Sequence, residues 1–347
     1  MEMDGIQGLN GGVLTRVLVT GTSGFIGTSF CERNAGRYAI TGVDCRDPTE
    51  RFRGVEYENC DLRNRNHILR LVQEHEPEVI LHLAAQARVD PSIADPVGTY
   101  RSNVDSTVNL LEAAMSLPRN LDRFVYVSSE TVYGPSSSYP VDEETPLRPQ
   151  SAYAASKAAA EFLVRNTHGL RFLVLRSGMG YGPRSNPRQQ VVAKFISRAL
   201  HGEPLFFPAG VPAISHPTRD VNYVDNFVDG VTQAIDDGAE GVFNLGSGRE
   251  LSVLELAHEI VKIVGSGAIS FDAGFRYRPG ELGLRTWLDI SRARDAFGYS
   301  PRVGLRDGLN RTVGWMRKHP SYWEGNGRAS VHGRRTSIAD ETRRGDA

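Results

Sequence analysis

Cysteine is scarce in this chain, and the three present, Cys31, Cys45 and Cys60, are odd in number and contain no C-x-x-C pair. That argues against a disulfide framework and against a zinc site, so no metal is expected. Unpaired thiols suit a reducing cytosol, and a cytoplasmic location is the expectation. Charge of one sign is missing too: 40 Lys and Arg stand against 41 Asp and Glu. No global basic field then points to nucleic acid or to an anionic membrane. An anionic ligand has to be caught by a few local arginines. No apolar run approaches the roughly 20 residues that a membrane helix needs. Residues 1–12 are acidic and glycine-rich and lack the positive and apolar regions of a signal peptide. No internal repeat is visible.

What is present is ordinary for a globular protein: 347 residues, 40% hydrophobic and 23% charged. That length supports one large domain or two closely joined ones with a sizeable core. Apolar-rich runs at 16–20, 39–43, 79–83, 123–128 and 171–177 read as strands. Most are separated by segments of helical spacing, for example 64–74, 98–115 and 152–166. Such alternation predicts an α/β protein with a doubly wound parallel sheet covered on both faces. After Gly178 the rhythm breaks into shorter pieces, with candidate helices at 190–200, 224–236 and 253–264. The resulting division is a dinucleotide-type core at 13–178, rejoined by about 221–265, and a smaller substrate-binding part at 179–220 and 266–318. Residues 1–12 and 321–347 read as disordered.

Gly21-Thr22-Ser23-Gly24-Phe25-Ile26-Gly27 follows the first strand and opens a helix. Glycines at this spacing let the chain turn tightly and let backbone approach a pyrophosphate, with the positive helix terminus facing the phosphates. Strand before, helix after and an acid downstream give the pattern its specificity. That acid is Asp44, 17 residues beyond Gly27. A carboxylate there accepts hydrogen bonds from both ribose hydroxyls and repels a 2′-phosphate, which favours NAD. Arg46 nearby leaves NADP open. Asp61-Leu62, after the next short strand, is a weaker candidate for the adenine.

Tyr153 and Lys157 stand at i,i+4 on a predicted helix, hence on one face. An ammonium beside a phenol is expected to lower the phenol's pKa. Tyr153 could then take a proton from a substrate hydroxyl while hydride leaves for a nicotinamide, with Ser129 bonding the same oxygen. A lone Y-x-x-x-K is common on helix surfaces. The glycine loop upstream is what gives this one meaning.

Taken together, TGTSGFIG, the HLAAQARVDPSIADP run, SNVDSTVNLLEA, SSETVYG, SAYAASK, LRSGMGYGP, HPTRDVNYVDN and RPGELGLRTWLDIS occur in this order. Over residues 16–316 the chain resembles the extended short-chain dehydrogenase/reductases, in particular the NAD-dependent nucleotide-sugar epimerase/dehydratases of the UDP-glucose 4-epimerase type. The resemblance implies a Rossmann fold, bound NAD and oxidation of a nucleotide-linked sugar, usually at C4. It implies cofactor contacts from Gly21, Ser23, Gly24, Phe25, Ile26, Gly27, Asp44, Asp61, Leu62, Leu83, Ala84, Ala85, Asn103, Tyr153 and Lys157. Catalysis falls to Ser129, Tyr153 and Lys157, joined by Glu130. Substrate contacts fall to Arg88, Ser129, Glu130, Thr131, Met179, Arg219 and Arg278, the last two holding the diphosphate as planar cationic forks. A homodimer built on the helices at 98–115 and 152–166 is implied by analogy.

Two departures matter. The 4,6-dehydratases of that family carry Asp-Glu where this chain has Glu130-Thr131, one carboxyl protonating the departing C6 hydroxyl and the other removing the C5 proton. The decarboxylases carry Ser-Glu, and simple 4-epimerases small neutral residues, often Ala-Thr. Thr131 is epimerase-like and Glu130 is not. C4 epimerisation is therefore the first expectation, dehydration with Glu130 as acid/base the second, and a polar rim residue the plain alternative for Glu130. Met179 replaces a usual Asn and cannot donate its hydrogen bond, and PAGVPAISHP replaces the glycine-rich loop before Arg219. His216 there reads as an ordinary loop residue. A catalytically silent, NAD-sensing protein is the alternative of another class. The presence of both Tyr153 and Lys157 argues against it, and near-neutral charge argues against RNA binding.

Overall fold

Alternation along the first strand sets the layers. Val17 and Val19 point to one side and Leu18 to the other, and all three are buried. The computed structural model describes residues 14–324 apart from Arg88, Asn120 and Pro279. In chain order its first part holds β1 (Arg16–Thr20), α1 (Phe25–Asn34), β2 (Ala39–Asp44), β3 (Val55–Asn59), α2 (Arg65–His75) and β4 (Val79–His82). There follow α3 (Val89–Ala94), α4 (Pro96–Tyr100), a π-helical turn (Arg101–Asp105), α5 (Ser106–Met115), β5 (Arg123–Ser129), a 3-10 turn (Glu130–Val132), α6 (Ala152–Asn166) and β6 (Phe172–Ser177). The second part holds β7 (Met179–Tyr181), α7 (Val191–Leu200), β8 (Pro204–Pro208), β9 (Thr218–Arg219), β10 (Val221–Tyr223) and α8 (Val224–Asp236). It ends with β11 (Gly241–Leu245), β12 (Leu251–Ser252), α9 (Val253–Val264), β13 (Ala268–Asp272), α10 (Ser291–Phe297), α11 (Leu305–Lys318) and α12 (Ser321–Glu324).

Seven strands form one parallel sheet in the order β11-β6-β5-β4-β1-β2-β3. All seven residues of β5 are buried, as expected of a strand covered on both faces. On one side α1, α8 and α10 pack Phe30, Phe227, Val231 and Phe297 against the sheet. On the other, α2, α5 and α6 contribute Ile68, Leu71, Leu110 and Val164. Each such side chain contributes roughly 1.5–3 kcal/mol on burial. This is the Rossmann-type doubly wound arrangement. Strand order reverses between β1 and β4, so a crevice opens there at the C-terminal strand ends, where ligands of such sheets bind.

Three expectations need correction. The segment 98–115 is helical throughout, but it starts earlier, at Pro96, and is not uniformly α-helical. Asp95 caps α4, accepting from the Gly98 N–H at 2.8 Å, and Pro96 opens it. The π-helical turn then widens the backbone around Asn103 before α5 resumes. Helix α9, assigned from sequence to the sheet domain, packs instead with α7 and α11 through Leu256, Ile260, Val192, Ile196, Leu309 and Val313. Conversely α10, assigned to the covering part, lies on β11. An apolar stripe shows that a helix face is buried but not against what. The tail begins ordered: Trp323 on α12 is buried, and its indole N–H donates to the Met316 carbonyl at 2.6 Å. The rest of the tail and residues 1–12 lie outside the described residues.

Candidate active site

The turn after β1 is built on close backbone approach. Gly21 has φ +78°, and a Cβ there would stand 2.8 Å from the Ala84 nitrogen. At Gly27 a Cβ would stand 2.2 Å from the Gly21 carbonyl oxygen. Only glycine fits either position. Gly24 caps α1 without a side-chain hydrogen bond, and no acid lies in the first turn, which begins with Phe25 and Ile26. The helix terminus is left open to an anion. Asp44 closes β2 beside this loop, buried, its two oxygens accepting from the Ser23 and Arg46 N–H groups at 3.0 Å each. A cradle with no room for a Cβ, an uncapped helix start and a fixed carboxylate at the next strand end together fit a dinucleotide.

Other expected cofactor residues divide. Leu83-Ala84-Ala85 does lie against the loop, with the Ala84 N–H donating to Thr20 Oγ1 at 3.1 Å. Asp61 leaves β3 next to Asp44, but its carboxylate is paired with Arg63, which holds it below the ordinary carboxylate range. Leu62 turns its side chain into the core and its carbonyl to Asn109. Asn103 is buried with its amide fully used: it accepts from the Gln86 N–H at 2.6 Å and donates to the Gln86 carbonyl and Ser156 Oγ. It ties the π-helical turn down beneath the crevice rather than facing a ligand.

Ser129, Tyr153 and Lys157 come together at the exit of β5. Ser151 starts α6 by accepting from the Ala154 N–H at 3.1 Å. The alanines of α6 favour helix and let it sit tightly on the sheet. Tyr153 lies within hydrogen-bonding reach of Ser129. Thr131 donates its hydroxyl to Ser129 Oγ at 3.0 Å, fixing that serine's orientation. Lys157, 3% exposed, rests its ammonium 4.2 Å above the Tyr126 ring, and burial lowers its pKa to about 7, against a smaller upward pull from Glu161. The expected lowering of Tyr153 is not found here. Burial raises its phenol above the ordinary value, Ser129 pulls it partly back and Glu130 pushes it further up. Lys157 directs its charge onto Tyr126 and keeps it only in part at neutral pH.

Glu130 is not a rim residue. It is buried, its Oε2 has no hydrogen-bond partner, and burial together with Asp220 raises its carboxyl well above the ordinary range, against Arg219. A shift in this direction favours the protonated form of the carboxyl. On the covering side, Arg219 and Arg278 converge on one carboxylate, that of Glu281, at 3.3 and 2.6 Å, and Arg278 also bonds Asp90 at 2.8 Å. Met179 packs into the apolar cluster of the covering part. Arg88 lies outside the described residues. His216 lies in the loop before β9, as expected, but is buried there between Phe207 and Tyr277 and bonds the Tyr277 hydroxyl at 2.5 Å.

Sequence reasoning passed over several members. Asp220 is buried and gathers the Ser247, Gly248 and Leu288 N–H groups at 2.5, 3.1 and 3.1 Å. Glu161 lies one turn beyond Lys157 and pairs with the buried Arg176 at 2.5 Å. The signals were available: Asp220 adjoins Arg219, Glu161 continues the Tyr153-Lys157 spacing, and Glu281 ends the RPGE run.

Comparison with known proteins follows the same lines. The family model described as "NAD dependent epimerase/dehydratase family" matches residues 17–246. A UDP-glucose 4-epimerase of Mycolicibacterium smegmatis is 34% identical over 323 residues, covering 87% of this chain and 98% of that protein. A dTDP-glucose 4,6-dehydratase of Streptomyces niveus is 32% identical over 331 residues, covering 89% and 95%. The crystal structure of a Thermus thermophilus UDP-glucose 4-epimerase in complex with NAD superposes with a TM-score of 0.79 at 32% identity, covering 87% of this chain and 99% of that one. The glycine cradle, the Asp44 carboxylate and the Ser129-Tyr153-Lys157 cluster therefore have a common context: this chain is an enzyme of the NAD dependent epimerase/dehydratase family, with NAD as its cofactor.

Proposed function

We propose that the protein inverts C4 of a nucleotide-linked sugar by transient oxidation. The observation that carries this is the Ser129-Glu130-Thr131 corner, where a hydroxyl stands at the position of the second carboxyl that elimination requires. Gly21, Gly24 and Gly27 with the start of α1 hold the pyrophosphate of NAD, and Asp44 holds its adenosine ribose. Bound there, NAD would supply a reversible acceptor for hydrogen and its electron pair from the sugar carbon. Tyr153 takes the C4 hydroxyl proton and later returns it. To take that proton Tyr153 has to be ionised first: burial and Glu130 work against this, and the Ser129 hydrogen bond works for it. Ser129, oriented by Thr131, donates to the C4 oxygen. Arg219 and Arg278, released from Glu281, bind the diphosphate, and the covering part built around α7, α9 and α11 seats the nucleotide.

Dehydration is the second reading, supported by Glu130: a buried carboxyl next to Ser129, its pKa shifted upward by burial and Asp220, is suited to donate a proton to a departing hydroxyl. A panel of UDP-, dTDP-, GDP- and CDP-sugars separates the two, with products read by mass and NMR. Unchanged mass with inverted C4 supports epimerisation, loss of water supports dehydration, and no reaction with any member contradicts both. If Glu130 is that acid, Glu130→Gln stops elimination and spares C4 oxidation.

A homodimer belongs to the same proposal. Val97, Tyr100, Val108, Met115, Phe162 and Leu163 leave an exposed apolar face on α4, α5 and α6, which a second copy would cover. Sedimentation of Phe162→Asp as a monomer, against a dimeric parent, tests it. A cytoplasmic location is supported by the three free thiols.

A further inference from the structure

Between the cofactor turn and α6 runs a continuous path of buried hydrogen bonds with His82 at its centre. The Ala84 N–H donates to Thr20 Oγ1 at 3.1 Å, and Thr20 Oγ1 lies 2.8 Å from His82 Nδ1. On the far side of the ring, Nε2 lies 3.0 Å from Thr107 Oγ1, whose own proton goes to the Asn103 carbonyl at 2.7 Å. The Asn103 amide donates to Ser156 Oγ at 2.8 Å, and Ser156 donates to the Tyr153 carbonyl at 2.7 Å. Thr20, His82, Asn103, Thr107 and Ser156 are each at most 2% exposed.

Donor counting leaves one arrangement. Thr107 has spent its proton on Asn103, so it can only accept from the ring, and Nε2 must carry hydrogen. A neutral ring carries one such hydrogen, so Nδ1 is bare and accepts the proton of Thr20, whose lone pairs accept from Ala84. Every donor and acceptor then has one partner, as buried polar networks require. We propose that His82 is a positioning residue: held in this single tautomer, it ties the turn against which Gly21 packs to the helix that carries Tyr153. Thr107 anchors the π-helical turn in the same way, and the wider backbone there lets Asn103 reach both Gln86 and Ser156. The titratable groups facing the ring are Tyr126 on β5, 5.7 Å between centroids, and Lys157 on α6; Phe124 packs edge-on. Burial lowers His82 to about 3, and Lys157 pushes the same way, so the ring keeps its tautomer across the working range.

The role rests on the proposed oxidation at Tyr153 only for its kinetic readout. Nitrogen NMR of the NAD-stripped, imidazole-labelled protein should show His82 neutral and Nε2-protonated from about pH 8 to about pH 5, where an ordinary histidine titrates. Thr107→Val should lower kcat about tenfold with KM for the sugar nucleotide unchanged, and Thr107→Ser should restore it. Thr20→Val should weaken NAD about tenfold by calorimetry. An Nδ1-protonated or titrating ring, or valine variants with the parent's kcat and NAD affinity, would overturn the assignment. Should no sugar react, or a variant fail to fold, the NMR spectrum of the parent still decides the tautomer on which the assignment rests.

Discussion

In the function proposed for this protein, the two halves of the crevice hold their ligands by different means. On the sheet side the grip is backbone: glycines that admit no Cβ, an uncapped helix start and one strand-end carboxylate. On the covering side it is long side chains, with Arg219 and Arg278 sharing Glu281. Backbone sites are fixed before the ligand arrives, whereas the paired arginines have to exchange one anion for another. A constant cofactor suits the first and a substrate that comes and goes suits the second.

Variants that act on only one half sharpen this contrast, and any that acts on both weakens it. The largest expected effect is Tyr153→Phe, which removes only the proton relay: turnover should fall by about 10²–10⁴-fold while NAD affinity is kept. Retained turnover would exclude Tyr153 as the acid/base. Arg219→Ala should cost about 1.5–3 kcal/mol of nucleotide binding, roughly 10–100-fold in Kd, with NAD binding unchanged by calorimetry. A matching loss of NAD affinity would join the two halves. Asp44→Ala should weaken NAD about tenfold and relax discrimination against NADP, and an unaltered preference would remove Asp44 from the ribose site.

A last effect is on stability rather than on binding or turnover. Lys157 has a folded pKa of about 7, below that of the unfolded chain. The unfolded state therefore binds more protons between about pH 10.4 and about pH 7, and stability falls as pH drops through that window. NAD-stripped Lys157→Met should lack this slope and melt above the parent, by a margin that widens to about pH 7 and then levels off. Parallel melting curves would mean that the lysine is solvated.

The contrast also explains what was legible beforehand. The glycine loop, Asp44 and the Tyr153-Lys157 pair are local spacings on one strand, one turn or one helix face, so sequence periodicity carries them. The meeting of Arg219 and Arg278 on Glu281 depends on how a long excursion folds back, and spacing says nothing of it. The same holds for α9, whose apolar stripe was plain while its partner was not. Leu62 and Asn103 were expected to face a ligand and instead serve the interior, because a motif position does not reveal where the side chain or amide points. The direction of the Tyr153 shift was missed for a related reason. Helical spacing placed Lys157 beside it, but burial and the Tyr126 ring decide where that charge goes.

The most direct measurement is turnover of an accepted nucleotide-sugar in D₂O, with the product followed by mass and proton NMR. Epimerisation, with hydrogen removed from C4 and returned to it, predicts inverted configuration, unchanged mass and no solvent deuterium on carbon. Deuterium at C5 accompanied by loss of water would contradict it, and would move Glu130 from bystander to acid.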